Sequence, residues 1–287
     1  MSDKFLGAWR VTEYVYNPDG SYAGIIQQQR ELEQLENGRI RVTQHCMPNN
    51  DLAKHPMGKF TGKPVFELSV NGRIRHYHGP AVIGTGVAWG DGTMTGRGLW
   101  PQFEHNFRSF AILAAPERQL TGGQFFKATE MVANIVGVAM PEDQLSADEW
   151  PQLGGGYWPT PMDWEGTLQE ILPDGTVQSE KKLVRHYDLH EAENTFYIEE
   201  TIGDHSTFST KVVIKENHVQ IQNDRQQGLG KTFGAMMQAE LTSELGLDLE
   251  LMELLDMEAG HLVGLRKWFR DGQPEKIEVM KLQPKEE

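Results

Sequence analysis

The sequence has little cysteine and no long apolar run. Cys46 is the only cysteine among the 287 residues, so no disulfide can form within the chain and packing must hold the fold. No stretch approaches the roughly 20 apolar residues that a membrane-spanning helix requires. Residues 1–7 lack the basic start and apolar segment of a secretory signal. We therefore predict a cytoplasmic protein, in a reducing compartment, without a membrane span.

Basic residues are also scarce. The chain carries 27 Lys and Arg against 41 Asp and Glu, which gives a formal net charge of −14. The balance is 14 basic against 16 acidic residues over 1–150 and 13 against 25 over 151–287, so the excess lies in the second half. Proteins that bind nucleic acid or anionic membranes need basic stripes to neutralise phosphates, and neither half has one. We expect neither kind of partner.

An internal repeat is the most informative feature that the sequence does have. Six residues of the first half recur in the second half, each 155 positions later and without a gap. The matching residues are Trp9, Thr12, Pro18, Asp19, Gly20 and Arg30 with Trp164, Thr167, Pro173, Asp174, Gly175 and Arg185. A strand, turn and strand that occur twice at a fixed offset indicate duplication of one β-unit.

Both copies have the pattern of a meander, in which short alternating segments are separated by turn residues. Proline, aspartate and glycine at 17–20 and Asn71–Gly72 are typical of tight turns. Strands are predicted at about 9–16, 21–30, 39–46, 64–70, 73–78, 81–88, 93–100, 107–114 and 120–127, and at 164–171, 176–188, 195–202, 207–215, 218–223, 261–270 and 276–281. Residues 129–140 fit a helix or a strand equally, and for 239–258 we favour a strand.

These patterns predict a mainly β protein with two tandem antiparallel meander barrels that arose by duplication. Prolines and glycines between 141 and 163 prevent regular strand pairing and indicate a linker. We therefore expect an N-terminal barrel over 1–140 and a C-terminal barrel over 164–287. A closed sheet of about eight strands would enclose room for one small ligand.

The segment Lys4-Phe5-Leu6-Gly7-Ala8-Trp9 resembles the opening motif of the lipocalins and the wider calycin superfamily. The resemblance implies that Trp9 lies at the closed end of a barrel and that a basic residue, Arg30 or Arg185, packs across a tryptophan ring. The second copy departs from the motif because Met162-Asp163-Trp164 lacks the glycine. Two-barrel proteins of this type include ligand carriers and enzymes of cyclisation, hydration or isomerisation, so the resemblance leaves the function open.

His76 and His78 alternate with Tyr77 and would lie on one face of a strand, about 7 Å apart. Two imidazoles so placed could share a metal ion, but no third ligand follows them in sequence. We therefore predict no metal and no cofactor. In an enzyme, His76 or His78 would be the base, and Arg75 would stabilise developing negative charge.

The segment 96–108 combines aromatic, acidic and basic residues, as a pocket rim does. Glu104 or His105 could donate a proton there, and Arg97 could stabilise negative charge. The aromatic residues predicted to contact an apolar ligand are Trp89, Trp100 and Phe103. The alternative is a packed loop over one end of the barrel, with an arginine paired to Glu104.

The segment 228–232, Gly-Leu-Gly-Lys-Thr, resembles the end of a phosphate-binding loop, but Arg225 occupies the position of the first glycine, and we reject nucleotide binding. Three function classes remain. The first is binding of a small, largely apolar ligand in a barrel. The second is a cofactor-independent acid–base lyase, isomerase or cyclase that acts on such a molecule. The third treats the acidic C-terminal unit as an interaction module.

Overall fold

The computed structural model describes residues 4–90, 92–160, 163–243 and 246–286. The chain divides into two compact units, residues 1–152 and 153–287, and the division lies inside the predicted linker segment. Each unit is one closed barrel of ten antiparallel strands, which confirms the mainly β, two-barrel fold. Within the described ranges, no helix has both the length and the apolar character to cross a membrane.

In the first unit each strand pairs with its neighbours in sequence, and the last strand closes on the first. The strands are β1 (Gly7–Tyr16), β2 (Tyr22–Gln34), β3 (Ile40–Pro48), β4 (Val65–Asn71), β5 (Ile74–His78), β6 (Ile83–Ala88), β7 (Thr93–Trp100), β8 (His105–Ala115), β9 (Arg118–Lys127) and β10 (Glu130–Pro141). Short 3-10 helices at Asn50–Lys54 and Pro56–Lys59 interrupt the path from β3 to β4. They contribute the buried side chains Leu52 and Met57 to the core.

The second unit repeats this topology. Its strands are β11 (Asp163–Ile171), β12 (Val177–His190), β13 (Thr195–Ile202), β14 (His205–Lys215), β15 (His218–Gln222), β16 (Gln227–Phe233), β17 (Met236–Thr242), β18 (Leu247–Asp256), β19 (His261–Arg270) and β20 (Gln273–Pro284). Here β20 closes on β11. Side chains of alternate residues therefore point to the interior of each barrel or away from it.

The repeated residues occupy equivalent places in the two barrels. Trp9 lies directly opposite Arg30 on β2 and Pro141 on β10. Trp164 lies opposite Arg185 on β12 and Pro284 on β20. These pairs relate β1 and its two neighbours to β11 and its two neighbours, and they provide the starting register for comparing interior positions.

Three features differ from the sequence prediction or complete it. Each barrel has ten strands, more than the eight or so that suffice to enclose a small ligand. Segment 129–140, which the sequence left open, forms β10, and segment 239–258 forms β17 and β18 around the undescribed residues 244 and 245. Strand β16 was not predicted. It contains the 228–232 segment, where the glycine α-carbons lie tightly against the backbone of β17, so this segment is not a phosphate-binding loop.

Candidate functional site

The first barrel encloses a cavity of about 180 Å³. Its walls are mostly apolar and are formed by residues of every strand except β6. The main apolar residues at the cavity are Ile26, Leu32, Val42, Met57, Phe60, Phe66, Leu68, Met94, Trp100, Phe107, Phe125 and Ile135. A cavity with apolar walls and a few polar groups is the usual form of a small-molecule site.

A connected polar group faces this cavity from β1 and β2. Gln28 Nε2 donates to Glu13 Oε2 at 2.5 Å, while one Arg30 nitrogen donates to Glu13 Oε1 at 3.4 Å and to Gln28 Oε1 at 3.0 Å. Gln28 and Arg30 are two residues apart on β2, so both point inward. Burial raises the pKa of the Glu13 carboxyl, and the Arg30 charge opposes that rise only in part.

Thr121 on β9 extends the polar group, because Gly137 has no side chain to separate Thr121 from Glu13. A Cβ atom at Gly137 would lie 2.7 Å from Thr121 Oγ1 and 3.0 Å from Glu13 Cγ. Thr121 and Glu13 therefore flank the same small space. In the described part of the chain, Thr121 Oγ1 and Arg30 Nε are buried without a hydrogen-bond partner. We call Glu13, Gln28, Arg30 and Thr121 the polar cluster.

Aromatic rings form another part of the wall. The ring of Trp100 meets those of Phe60 and Phe66 edge-on, with centroids 5.8 Å apart in both pairs. The Tyr77 hydroxyl lies over Gly86 and Gly96, where an added Cβ would approach it to 2.7 Å and 2.8 Å. The two glycines thus make room for this ring inside the barrel. Burial raises the pKa of Tyr77 to about 12, so its hydroxyl stays protonated at neutral pH.

The second barrel has a different interior, built around Arg185. The Arg185 guanidinium bonds Glu253 through two nitrogens at 2.9 Å each, Tyr187 at 2.8 Å, and Glu200 through two further bonds. Its five N–H donors are thus all used. Arg266 also donates to Glu200, and the Tyr157 hydroxyl donates to Glu253 at 2.5 Å. Its two arginines and two carboxylates are buried, and Tyr157 and Tyr187 belong to the apolar core of this barrel.

Charge pairing controls the protonation of this network. Burial alone would raise the pKa of the Glu200 carboxyl, but Arg266 and Arg185 lower it to about 2. The pKa of Glu253 is also lowered, against the effect of burial, by Arg185 and by the Tyr157 hydrogen bond among others. Both carboxylates are therefore charged at neutral pH and neutralise the two arginines.

The strand register shows which interior side chains differ between the two barrels. Glu200 is opposite Arg185, and the residue opposite Arg30 is Gln44. The pairing can also be followed from Trp9 through β10, β9 and β8, and from Trp164 through β20, β19 and β18. This gives three further pairs of equivalent positions. Charged residues Glu253, Arg266 and Glu278 of the second barrel correspond to Ala111, Gly123 and Ile135 of the first, and all three of these line the cavity.

The predicted histidine pair lies on the outside of the first barrel. His76 and His78 share one face of β5 with rings 6.3 Å apart, close to the expected spacing. Tyr77, between them, points into the cavity, so the two imidazoles point away from it. His78 Nε2 bonds with Ser69 Oγ on β4 at 2.7 Å. Among the described residues, no group of three or more potential ligands gathers around a metal position.

The arginines and Trp89 predicted near the site also do not line the cavity. Arg75 shares the inward side of β5 with Tyr77, and its guanidinium donates to the Arg73 carbonyl at 3.1 Å. Arg97 is exposed. Trp89 donates to Thr95 Oγ1 at 2.8 Å and lies beneath the Arg73 guanidinium, 4.7 Å from the ring centroid.

The 96–108 segment combines parts of both interpretations. Trp100 lines the cavity, and Phe103 is buried against Phe60, with ring centroids 4.0 Å apart. Glu104 is exposed in the left-handed conformation. His105 is buried, bonds the Phe103 carbonyl through Nδ1, and has its pKa lowered by burial. The His105 ring therefore packs against Phe60, behind the aromatic wall. Neither His105 nor Glu104 lines the cavity.

Glu13, Gln28 and Thr121 were not predicted as site residues. The internal repeat could have indicated Glu13 and Gln28. Both are hydrogen-bond partners of the repeated residue Arg30, and both have apolar residues at the equivalent positions of the second copy. Counting 155 positions from Glu13 and Gln28 gives Leu168 and Leu183, both of which are buried in the second core. A carboxylate and an amide in place of two core leucines mark a specialised interior.

No family model matches this sequence, and no curated protein matches it. A solved structure from the DUF3598 family of Nostoc punctiforme, described as of unknown function, is similar over 99% of this chain and 100% of that one, with 14% identity and a TM-score of 0.64. This similarity concerns the fold and agrees with two barrels in tandem.

More distant matches include transferrin binding protein B of Haemophilus parasuis, with 9% identity over 98% of this chain and 76% of that one, and a TM-score of 0.28. Kievitone hydratase of Nectria haematococca matches with 10% identity over 98% and 90%, and a TM-score of 0.23. Scores this low carry no argument about function.

Proposed function

We propose that the first barrel binds a small, largely apolar molecule in its interior. The supporting observation is the cavity itself, which coincides with the places where Ala111 and Gly123 stand instead of charged side chains. At the positions equivalent to Ala111 and Gly123, the second barrel has the charged side chains of Glu253 and Arg266, which form an ion pair. The space at these two positions is therefore set by the interior residues of the first copy and not by the strand framework alone.

Native mass spectrometry of protein purified from its own host tests this proposal. We expect a stoichiometric small molecule that is released on denaturation. The variant Ala111→Phe places a ring in the cavity and should lose the bound molecule while it remains folded. Leu99→Phe adds a ring to the outer face of β7, where Leu99 is 37% exposed, and should retain the molecule. Retention of the molecule by both variants would place it elsewhere.

We propose further that the chain is a calycin-type protein. Two observations support this: the Lys4 to Trp9 motif leads directly into the first strand of a closed antiparallel barrel, and Trp9 lies opposite Arg30. The Arg30 guanidinium bonds Glu13 and Gln28. In the second barrel, the Arg185 guanidinium lies over Tyr187, 5.7 Å from the ring centroid, and not over a tryptophan ring as the resemblance implied.

Acid–base catalysis, as in a lyase, isomerase or cyclase, is the second candidate function. One observation favours it: Glu13 is a buried carboxyl at the cavity, and burial raises its pKa toward the range of a general acid or base. Glu13 takes the role that the sequence analysis gave to His76, His78, Glu104 or His105. Incubating Glu13→Gln and wild-type protein with the released molecule tests this, since only an enzyme gives a product that the variant does not form.

A further inference from the structure

We infer that the ligand of the first barrel carries a neutral oxygen function, a hydroxyl or a carbonyl on an unsaturated ring, and that the polar cluster binds it. This inference rests on the proposed binding function, because it concerns the same cavity. It specifies which ligands the cavity prefers. Three properties of the cavity support it: its charge balance, its unused hydrogen-bonding groups, and its aromatic wall.

The charge balance disfavours an anionic ligand. Arg30 and Glu13 are the charged residues among those that line the cavity, and they are paired with each other. A carboxylate placed beside Arg30 would bring a second negative charge next to Glu13 in a poorly solvated interior, where like charges repel strongly. The second barrel has the same balance at its centre, since Arg185 and Arg266 are neutralised by Glu200 and Glu253.

The unused hydrogen-bonding groups favour a polar atom on the ligand. Arg30 Nε is a buried donor, and Thr121 Oγ1 is a buried hydroxyl, and neither has a partner in the described part of the chain. Arg185, at the equivalent position, uses every donor. A ligand hydroxyl can accept from Arg30 and donate to Glu13 or Thr121, so it satisfies groups that a hydrocarbon would leave unpaired.

The aromatic wall favours an unsaturated ring on the remainder of the ligand. Phe60, Phe66, Trp100 and Phe107 present both edges and faces to the same space, with neighbouring centroids 5.8 to 6.2 Å apart around Trp100. These are the distances of edge-to-face and offset ring contacts. A flat ring with one oxygen can thus satisfy the wall and the polar cluster together.

Three probes with one ring system test the inference: 2-naphthol, naphthalene and 2-naphthoate. Equilibrium dialysis at neutral pH should show that 2-naphthol binds about tenfold more tightly than naphthalene, because only the hydroxyl satisfies the buried donors. The carboxylate should bind more weakly than 2-naphthol by at least the same factor. Tightest binding of 2-naphthoate, or equal affinity for 2-naphthol and naphthalene, would overturn the inference and leave the binding function intact.

Two variants make the test specific. Glu13→Gln keeps the shape but removes the negative charge, so the affinity for 2-naphthoate should rise about tenfold while that for naphthalene stays the same. Glu67→Gln, on the outer face of β4, is the matched control and should change neither affinity. Thr121→Val should reduce the advantage of 2-naphthol over naphthalene without affecting naphthalene, and unchanged preferences in Thr121→Val and Glu13→Gln would overturn the inference.

Failure of the binding function gives a different result. In that case none of the three probes binds to wild-type protein, and native mass spectrometry finds no bound molecule. If naphthalene binds and Ala111→Phe abolishes its binding, the cavity is a binding site whatever the preference among the three probes. The two conclusions are therefore tested by separate comparisons.

Discussion

The two barrels share strand number, closure and a tryptophan opposite an arginine, yet their interiors differ in kind. In the first barrel, Arg30 has one acidic partner and faces a cavity of about 180 Å³. In the second, Arg185 has two acidic partners, Glu200 and Glu253, and all three side chains are buried. The strand framework of the barrel is therefore the same in both copies, while the interior side chains differ.

Buried ion pairs add less to stability than their number suggests, because removing charges from water is costly. Their clearest effect is asymmetric, since the loss of one partner leaves the other charged and unsolvated. The second barrel should thus be sensitive to single substitutions in its buried ion-pair network. The first barrel has one ion pair at its cavity and should tolerate equivalent changes better.

Replacing the repeated arginine in each barrel should give the largest difference. Arg185→Met leaves Glu200 and Glu253 with only Arg266, and we expect a loss of about 3–5 kcal/mol in the free energy of unfolding. Arg30→Met leaves Glu13 alone, but its raised pKa lets it take up a proton, so we expect about 1–2 kcal/mol. Urea unfolding measures both, and equal losses would contradict the assigned roles.

The next largest difference should be in how the stability of each barrel responds to acid. Glu200 has a folded pKa of about 2 against an ordinary value of 4.5, so its contribution of about 3 kcal/mol is present above pH 4.5 and lost as pH falls toward 2. Glu13 has the opposite sign, because a raised carboxyl pKa gives stability that is lost as pH rises through it.

Unfolding followed between pH 6 and about 2 checks this sign. Backbone amide exchange read separately for residues 7–141 and 163–284 should show the second barrel opening first as pH falls. In Glu200→Gln, the part of this acid sensitivity that comes from Glu200 should disappear. Earlier opening of the first barrel would be inconsistent with the two pKa directions.

Filling the cavity should make the first barrel more like the second. Ala111 is equivalent to Glu253, so Ala111→Leu puts apolar volume where the second barrel has a side chain. We expect the free energy of unfolding, measured by thermal unfolding, to rise by about 1 kcal/mol and the affinity for naphthalene to be lost. A loss of stability would mean that the surrounding aromatic rings are already packed too tightly to admit the side chain.

The smallest effects should be equal in the two barrels, at the repeated turns. Asp19 Oδ1 accepts from the Ser21 amide at 2.9 Å, and Asp174 Oδ1 accepts from the Thr176 amide at 2.8 Å. Asp19→Ala and Asp174→Ala each remove this amide bond and should cost about 0.5–1 kcal/mol. Asp19→Ala also removes a bond from the Ser21 hydroxyl at 2.6 Å, but this hydroxyl is exposed and water replaces the lost acceptor. Thermal unfolding of the two variants should agree, because the outer frame is common to both barrels.

The fold was largely readable from the sequence because strands and turns leave local signals. Pro18, Asp19 and Gly20 with their repeats marked the turns, and alternating residues marked most strands. Strand β16 was missed since Gly228 and Gly230 give no side chains and Leu229, at 68% exposure, has the wrong polarity for an outward position. Without β16, the sequence could not give the number of strands in the second barrel.

The site was less readable because alternation shows which residues share a face but not which face is inside. His76 and His78 share a face as predicted, and Tyr77 decides that this face is the outer one. The polar cluster combines Glu13 and Gln28 with Thr121, more than ninety positions away in sequence, through the gap at Gly137. Such a meeting depends on barrel closure and cannot be inferred from local pattern.

Closure of each barrel by its own first and last strands has an evolutionary consequence. Because β1 pairs with β10 and β11 pairs with β20, neither sheet borrows a strand from the other. Duplication of the ancestral coding segment would therefore add a complete barrel without rethreading the chain. Each copy then keeps its own strand framework, so interior substitutions in one barrel leave the strand pairing of the other unchanged.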